Sequence, residues 1–330
     1  MSSTEPSETI SAGRAESRFL RRCHGHYLSV HRRIWKRLPT FLRRLSSRHL
    51  HTVVRRHSDR RQSFGTFFLR NRAELELMRH LLERRAAGSK LDISVLACSK
   101  GAEVYSIQWA IRSARPDLKL TIRAVDISQE ILDFAKRGVY LRNDSEGETA
   151  LHCDGILADE VSQNTCRDQI ASIFERMTPE EVVAMFEVEG DQAKVRPWLK
   201  EGLTWLCGDA GDPQVAGVLG PQDIVVANRF LCHMKPEAAE RCLRNIAGLV
   251  KPGGYLFVSG IDLDVRTRVA QAMGWDPVTD MMREVHEGDV SLRNGWPLEY
   301  WGLEPFRDDR PDWRLRYASV FQIGGQKRTQ

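Results

Sequence analysis

Between Leu91 and Arg137 the chain alternates short apolar runs with longer amphipathic ones. Ile93 to Ala97 is apolar, too short for a helix and rich in β-branched residues, so it predicts a strand. A turn of small and polar residues follows at Cys98-Ser99-Lys100-Gly101-Ala102, then a helical pattern carrying Tyr105, Ile107, Ala110 and Ile111. A second apolar run, Leu118 to Val125, ends on Asp126, and Ile131, Leu132 and Phe134 begin another helix. Strand, turn, helix and strand with an acid at its end make one βαβ unit.

The alternation continues downstream. Leu203–Cys207, running into Gly208-Asp209-Ala210, Asp223–Ala227, ending at Asn228, and Tyr255–Val258, after a Lys251-Pro252-Gly253-Gly254 turn, predict three more strands, with a helix over about 236–250. Strands and helices alternating at this spacing predict an α/β fold with a doubly wound, mostly parallel sheet. Trp313 to Phe321 alternates like a half-buried strand, expected to be antiparallel at or near the sheet edge. Upstream, residues 72–87 form an amphipathic helical pattern with Leu75, Met78, Leu81 and Leu82 on one face, stopped by Gly88. The stretch 141–200 is less regular and reads as an insertion: a loop at 144–148, helices over Arg167–Met177 and Thr178–Phe186, and a small hairpin around Val188 and Val195. Thr178-Pro179-Glu180-Glu181 has the pattern of a capping box with proline in the first turn. No internal repeat is visible.

Charge changes the picture at one end. The net charge of the 330-residue chain is +5, yet residues 14–62 hold 15 Arg and Lys against only Glu16 and Asp59. The chain therefore divides into a polar tail, 1–13, expected to be disordered, a basic helical arm, 14–62, and a mildly acidic body, 63–330. Leu20, Tyr27, Ile34 and Phe41 recur seven apart in the arm, and Pro39 separates two expected helices. Its Arg- and His-rich face suits an anionic partner, whether an acidic protein, nucleic acid or an anionic membrane, or is simply solvated. Composition is globular, 42% hydrophobic and 28% charged. No run of 18 apolar residues predicts a membrane span. Glu5 and Glu8 argue against a signal or transit peptide. Seven cysteines without a C-x-x-C pair predict reduced thiols, no metal site and a cytoplasmic protein.

The βαβ unit also carries candidate chemistry. Open α/β sheets bind ligands at the carboxyl ends of their strands, where a helix N-terminus offers free N–H groups. Asp126, 25 residues past Gly101, is placed to accept hydrogen bonds from a ribose diol. The glycines of a pyrophosphate cradle are absent, Gly101 alone remaining, so a nucleoside without phosphates fits better than a dinucleotide. A ligand-free sheet with a solvated Asp126 is the alternative.

Several motifs occur in order. Asp223-Ile224-Val225-Val226 is followed by Leu249-Val250-Lys251-Pro252-Gly253-Gly254 and a strand; Thr66-Phe67-Phe68-Leu69-Arg70 precedes the fold; Ser99-Lys100-Gly101-Ala102-Glu103-Val104-Tyr105-Ser106 forms the first turn. Ala124-Val125-Asp126-Ile127, Arg137-Gly138-Val139-Tyr140 and Met177-Thr178-Pro179 follow. This set resembles the chemotaxis protein methyltransferases, which esterify receptor glutamates, within the class I S-adenosylmethionine-dependent methyltransferases; the likeness spans roughly 62–260. The resemblance implies a Rossmann-like fold and S-adenosyl-L-methionine as cofactor. It implies that Thr66 and Arg70 reach the methionine end, that Glu103 sits at the amine, and that Ser99 and Gly101 also bind the cofactor. Asp126 would meet the ribose, Asp209 and Ala210 the adenine, and Asn228 the sulfonium, with Ile127 also at the cofactor. The chain departs from the family at Phe64, where an Asn is usual, at Ala227, where an Arg precedes the Asn, and at Cys232, where a Tyr is usual.

The departures surround the expected methyl-transfer point, so the acceptor stays open between an acidic protein carboxylate and a small molecule methylated on oxygen or nitrogen. A non-catalytic binding module with a basic docking arm is the reading from another class. A carboxylate needs no base, whereas an alcohol or phenol does, and His233 is the candidate for that role. The aromatic segment 295–302 either closes over a substrate or packs the C-terminal strand.

Overall fold

The computed structural model describes residues 65–142, 172–288 and 302–324. The tail, the arm with its two expected helices, Phe64, the loop at 144–148 and nearly all of the aromatic segment lie outside them.

The central sheet is built around β1 (Lys90–Leu96), followed by α2 (Ala102–Ala114), β2 (Lys119–Asp126) and α3 (Gln129–Arg137). Ahead of it stands α1 (Arg72–Leu82). After the insertion come β6 (Leu203–Cys207), α5 (Pro213–Leu219), β7 (Gln222–Asn228), α6 (Pro236–Ala247), β8 (Val250–Ser259) and α7 (Leu263–Met273). The chain closes through β9 (Asp276–Pro277), α8 (Met282–Glu287), α9 (Trp313–Tyr317) and β10 (Val320–Gln322). The strand order is β6-β2-β1-β7-β8-β10-β9. From β1 the winding runs one way through β2 to β6 and the other through β7 to β8, all parallel; β10 is antiparallel to both neighbours. The doubly wound, mostly parallel sheet is the expected one, and its switch point lies between β1 and β7.

The central strands are mostly apolar because both faces are covered, interrupted by polar residues such as Asp92 and Arg123. In β7, Ile224 and Val226 join the core cluster that includes α1 and α2, while Val225 and Ala227 join the one that includes α6 and α7. Period-two alternation thus feeds two cores. A second sheet, β3 (Val139–Leu141), β5 (Gln192–Val195) and β4 (Phe186–Glu189), is antiparallel and contains the hairpin expected around Val188 and Val195. It follows α4 (Pro179–Met185), whose N-terminus is closed by the anticipated capping box: Glu181 N–H donates to Thr178 Oγ1 (3.3 Å) and Thr178 N–H to Glu181 Oε2 (2.8 Å). Phe68, Tyr140, Phe174 and Phe186 stack edge and face at centroid distances of 5.0 to 6.2 Å, fastening the second sheet to the segment before α1.

Several boundaries differ from expectation. α1 ends at Leu82 rather than residue 87, because Arg115 donates to the Leu82 and Arg85 carbonyls and ends the helix in turns. Residues 172–177 of the expected helix Arg167–Met177 are not helical, with turns over 173–176 and the Ile173 carbonyl accepting from Phe68 N–H instead (3.0 Å). α6 stops at Ala247, three residues short. β8 begins at Val250, so the Lys251–Gly254 turn lies inside the strand; there a Cβ on Gly254 would stand 2.6 Å from the Asp223 carbonyl. Trp313–Tyr317 is helix, not strand, and only Val320–Gln322 pairs. Tyr317 stacks on Phe306 at 4.6 Å and donates to Glu304 (2.9 Å), contacts with a preceding loop that outweigh the alternating pattern.

Candidate cofactor site

The loops at the carboxyl ends of β1, β2, β6 and β7 surround a cleft of about 880 Å³, counted with its opening to solvent. Of the residues expected at a cofactor, Thr66, Arg70, Ser99, Glu103, Asp126, Ile127, Asp209, Ala210 and Asn228 line it, and so does His233. Gly101 does not. It sits behind the turn with φ +83°, where a Cβ would meet the Ala135 Cβ at 3.0 Å and the Trp205 ring at 3.2 Å. Its part is to let the chain turn into α2.

The walls are held locally. Cys98 N–H donates to the Val125 carbonyl (3.0 Å), tying the turn after β1 to the end of β2. The Asp126 carboxylate then accepts from Ser99 N–H at Oδ2 (2.9 Å) and from Ser128 N–H at Oδ1 (3.1 Å). Burial raises Asp126 above the ordinary carboxylate range, against the pull of those amides. Asp209 Oδ1 accepts from Gly211 N–H (2.8 Å), an Asx turn that holds Ala210 at the cleft. Arg70 donates to the Gly65 carbonyl (2.9 Å), and its own carbonyl accepts from Arg176 (2.8 Å). Burial lowers the His233 imidazole to about 4, so it is neutral at neutral pH, and burial pushes the Cys98 thiol well up, leaving it protonated.

Backbone strain concentrates here. Leu69 (φ 50°), Ala97 (φ 53°), Ser99 (φ 52°) and Arg229 (φ 63°) adopt the left-handed region at the cleft or beside it. Each costs about 1–3 kcal/mol, and such strain collects at functional sites. The turn at Arg229 also needs Gly260, where a Cβ would lie 2.5 Å from the Arg229 Cα.

Residues 65–152 match the family model of the CheR methyltransferase SAM-binding domain, and residues 167–258 match that of a methyltransferase domain. The chain carries a methyltransferase domain related to those of chemotaxis protein methyltransferases. The methyltransferase domain is 25% identical over 201 residues to a chemotaxis protein methyltransferase of Vibrio parahaemolyticus, covering 58% of this chain and 62% of that protein. It is 26% identical over 178 residues to chemotaxis protein methyltransferase 1 of Pseudomonas aeruginosa, covering 52% and 54%. An uncharacterized 104.1 kDa protein of Rhodobacter capsulatus matches at 25% over 220 residues, 61% of this chain and 19% of that one. The matched segments thus span under two thirds of each of these relatives. Among solved structures, the N-methyltransferase NodS of Bradyrhizobium japonicum, in complex with S-adenosyl-L-homocysteine, is similar at 15% identity and TM-score 0.32, over 63% of this chain and 74% of that one.

The donor set of the methyltransferase domain suits S-adenosylmethionine. Carboxylates at Glu103 and Asp126 can accept from an ammonium and a diol, Arg70 can meet a carboxylate, and Ile127, Phe230 and Met234 are apolar walls. Phe230, Met234, Cys98 and Arg229 line the cleft without having been singled out from sequence for it. Their only sequence signal is adjacency to a strand end. Glu74 was missed altogether. As the third residue of α1 it reads as an ordinary acid in a first helical turn, yet it is 6% exposed and accepts from Asn228 Nδ2 (2.7 Å).

Proposed function

We propose that the chain is an S-adenosylmethionine-dependent methyltransferase whose acceptor is a carboxylate on an acidic protein. The observation that carries this reading is the convergence of Arg70, Glu103, Asp126, Asp209 and Asn228 in one cleft at the strand ends. The cofactor supplies an electrophilic methyl group on a sulfonium. Asp126, anchored by two backbone amides, keeps lone pairs on both oxygens for the ribose hydroxyls. Glu103 receives the ammonium, Arg70 the carboxylate of the methionine end, and Asp209 and Ala210 the adenine edge, with Ile127 against the sugar. Transfer is an in-line displacement, so alignment supplies most of the catalysis.

A neutral His233 with its imidazole at about 4 is a weak base. An alcohol or phenol acceptor needs a base with an affinity for protons near the working pH, whereas a carboxylate arrives ionised. The acidic partner also suits the basic arm, 14–62, set apart from the 1–13 tail and the 63–330 body, in a cytoplasmic protein; among the described residues no helix is long and apolar enough to cross a membrane.

One observation favours a small-molecule acceptor instead. Cys232, where the resemblance places a tyrosine, is fully buried with its Sγ donating to the Arg229 carbonyl (3.8 Å), and it does not line the cleft. Incubating the chain with methyl-tritiated cofactor and a lysate separates the readings. Label in protein that alkali releases as methanol is the expected result. Alkali-stable protein label, or label in small molecules alone, rules out the carboxylate acceptor, and failure to bind cofactor rules out the enzyme.

A further inference from the structure

Asn228 gathers two carboxylates on one nitrogen. Its Nδ2 donates to Oε1 of Glu74 (2.7 Å) and to Oε1 of Glu103 (2.9 Å), while its Oδ1 accepts from the Ser259 hydroxyl (2.8 Å). Both amide hydrogens are therefore engaged by acids. Glu74 lines a smaller cavity, about 370 Å³ counted with open solvent, and four of its lining residues, Arg70, Glu103, Asn228 and Arg229, also line the main cleft. The Glu74 carboxylate thus stands directly behind the candidate cofactor site, sharing the Asn228 amide with Glu103, which lines both cavities.

Two carboxylates in a shielded place cannot both ionise cheaply. Burial first, and then the nearby Glu103, push Glu74 up to about 7; the hydrogen bond from Asn228 and the more distant charges of Arg229 and Arg70 act against them. Those are the charged groups that face it, from α2, from the turn after β7 and from the segment ahead of α1. α8, also packed on α1, reaches it through Asn71 donating to the Val285 carbonyl (2.9 Å), and its His286 ring contacts the Glu304 carbonyl instead. Near neutral pH, then, Glu74 holds a proton that an arriving cation would displace.

We propose that Glu74 is a second carboxylate of the methionine subsite, which joins Glu103 in receiving the cofactor's α-ammonium and gives up its proton to solvent as that cation enters. The step balances: the carboxylic acid becomes a carboxylate, the ammonium keeps its three protons, and one proton passes to buffer. The inference rests on the cofactor reading above. A purely structural Glu74 would hold Asn228 and keep its proton.

Titration calorimetry of the full chain with S-adenosylmethionine and with S-adenosylhomocysteine, in buffers of different ionisation enthalpy, tests it. At pH 6.5 the expected release is roughly three-quarters of a proton for either ligand, from a group titrating at about 7. Affinity should rise roughly fifteenfold from pH 5.5 to pH 7, as the binding-competent ionised fraction grows. Glu74→Gln should abolish the release and flatten the pH dependence. Binding of both ligands without proton release, or release that persists in E74Q, overturns the proposal. Release with S-adenosylmethionine alone also overturns it, because only that ligand carries the sulfonium charge. If neither ligand binds, the cofactor reading itself falls. The wild-type measurement stands whether or not the variant folds.

Discussion

The two ends of the central sheet treat buried acids in opposite ways. At the amino end Asp92 lies between Lys90 (3.1 Å), Lys251 (3.3 Å) and Arg123 (3.3 Å), and Asp223 between Arg85 (3.3 Å) and Lys251 (3.1 Å), also accepting from Asp92 N–H (2.8 Å). Burial alone would raise Asp92, but the hydrogen bonds from Lys90 and Lys251 prevail and hold it low. At the carboxyl end Asp126 is held by backbone amides and Glu74 and Glu103 by the Asn228 amide, all neutral donors. Burial prevails there, and Asp126 and Glu74 are raised. Charge neutralised within the fold supports structure. Charge held by neutral dipoles keeps its attraction for a ligand.

The two ends therefore contribute to stability with opposite pH dependence. Asp92, lowered on folding, stabilises above its unfolded value near 4, and that contribution is lost as the pH falls through its folded value. Glu74, raised on folding, binds more protons folded than unfolded between about 4.5 and 7, so its penalty grows as the pH rises through that window and is complete above it.

The sharpest break of the comparison is Asp126→Ala. Losing two charge-assisted hydrogen bonds at about 1.5–3 kcal/mol each should weaken S-adenosylmethionine binding by roughly a hundredfold to ten-thousandfold in calorimetry. An unchanged affinity would mean that this acid is as structural as those at the other end. Next, Glu74→Gln should stabilise the protein by about 2–3 kcal/mol at pH 8 and by little at pH 5, read from denaturant unfolding, because a displacement from 4.5 to about 7 is worth roughly 3 kcal/mol. Equal stability at the two pH values would show that Glu74 ionises without cost. The smallest effect belongs to Asp223→Ala, which leaves the Asp92 amide and two cations short of an acceptor. Unfolding free energy should fall by about 1–2 kcal/mol while the cofactor affinity stays within about twofold. A large loss of affinity would erase the distinction between the two ends.

Much of this architecture was legible in sequence for a local reason. A strand that is buried on both faces is apolar over most of its length, so β1, β2, β7 and the second half of β8 announce themselves as runs, and the polar residues that end or follow β2, β6 and β7 fall at the carboxyl ends where ligands bind. Asp126 stands out that way, and Asp209 and Asn228, named by the family resemblance, also follow predicted strands. Thr66, Arg70 and Glu103, which do not end strands, came only through the family resemblance. Trp313–Tyr317 shows the limit: five residues are too few to distinguish period two from a single helical turn, and the Tyr317 contacts with Phe306 and Glu304 decided the matter.

The sequence by itself determined the alternation of strands and helices in the central parallel sheet and the candidate nucleoside site, because each follows from patterns a few residues long. Only the tertiary structure decided which acid stands behind that site. Glu74 and Asn228 are 154 residues apart in the chain and meet because α1 packs across the end of β7 beside α2. The burial that turns an ordinary helix acid into a proton-holding group exists only once those three elements are together.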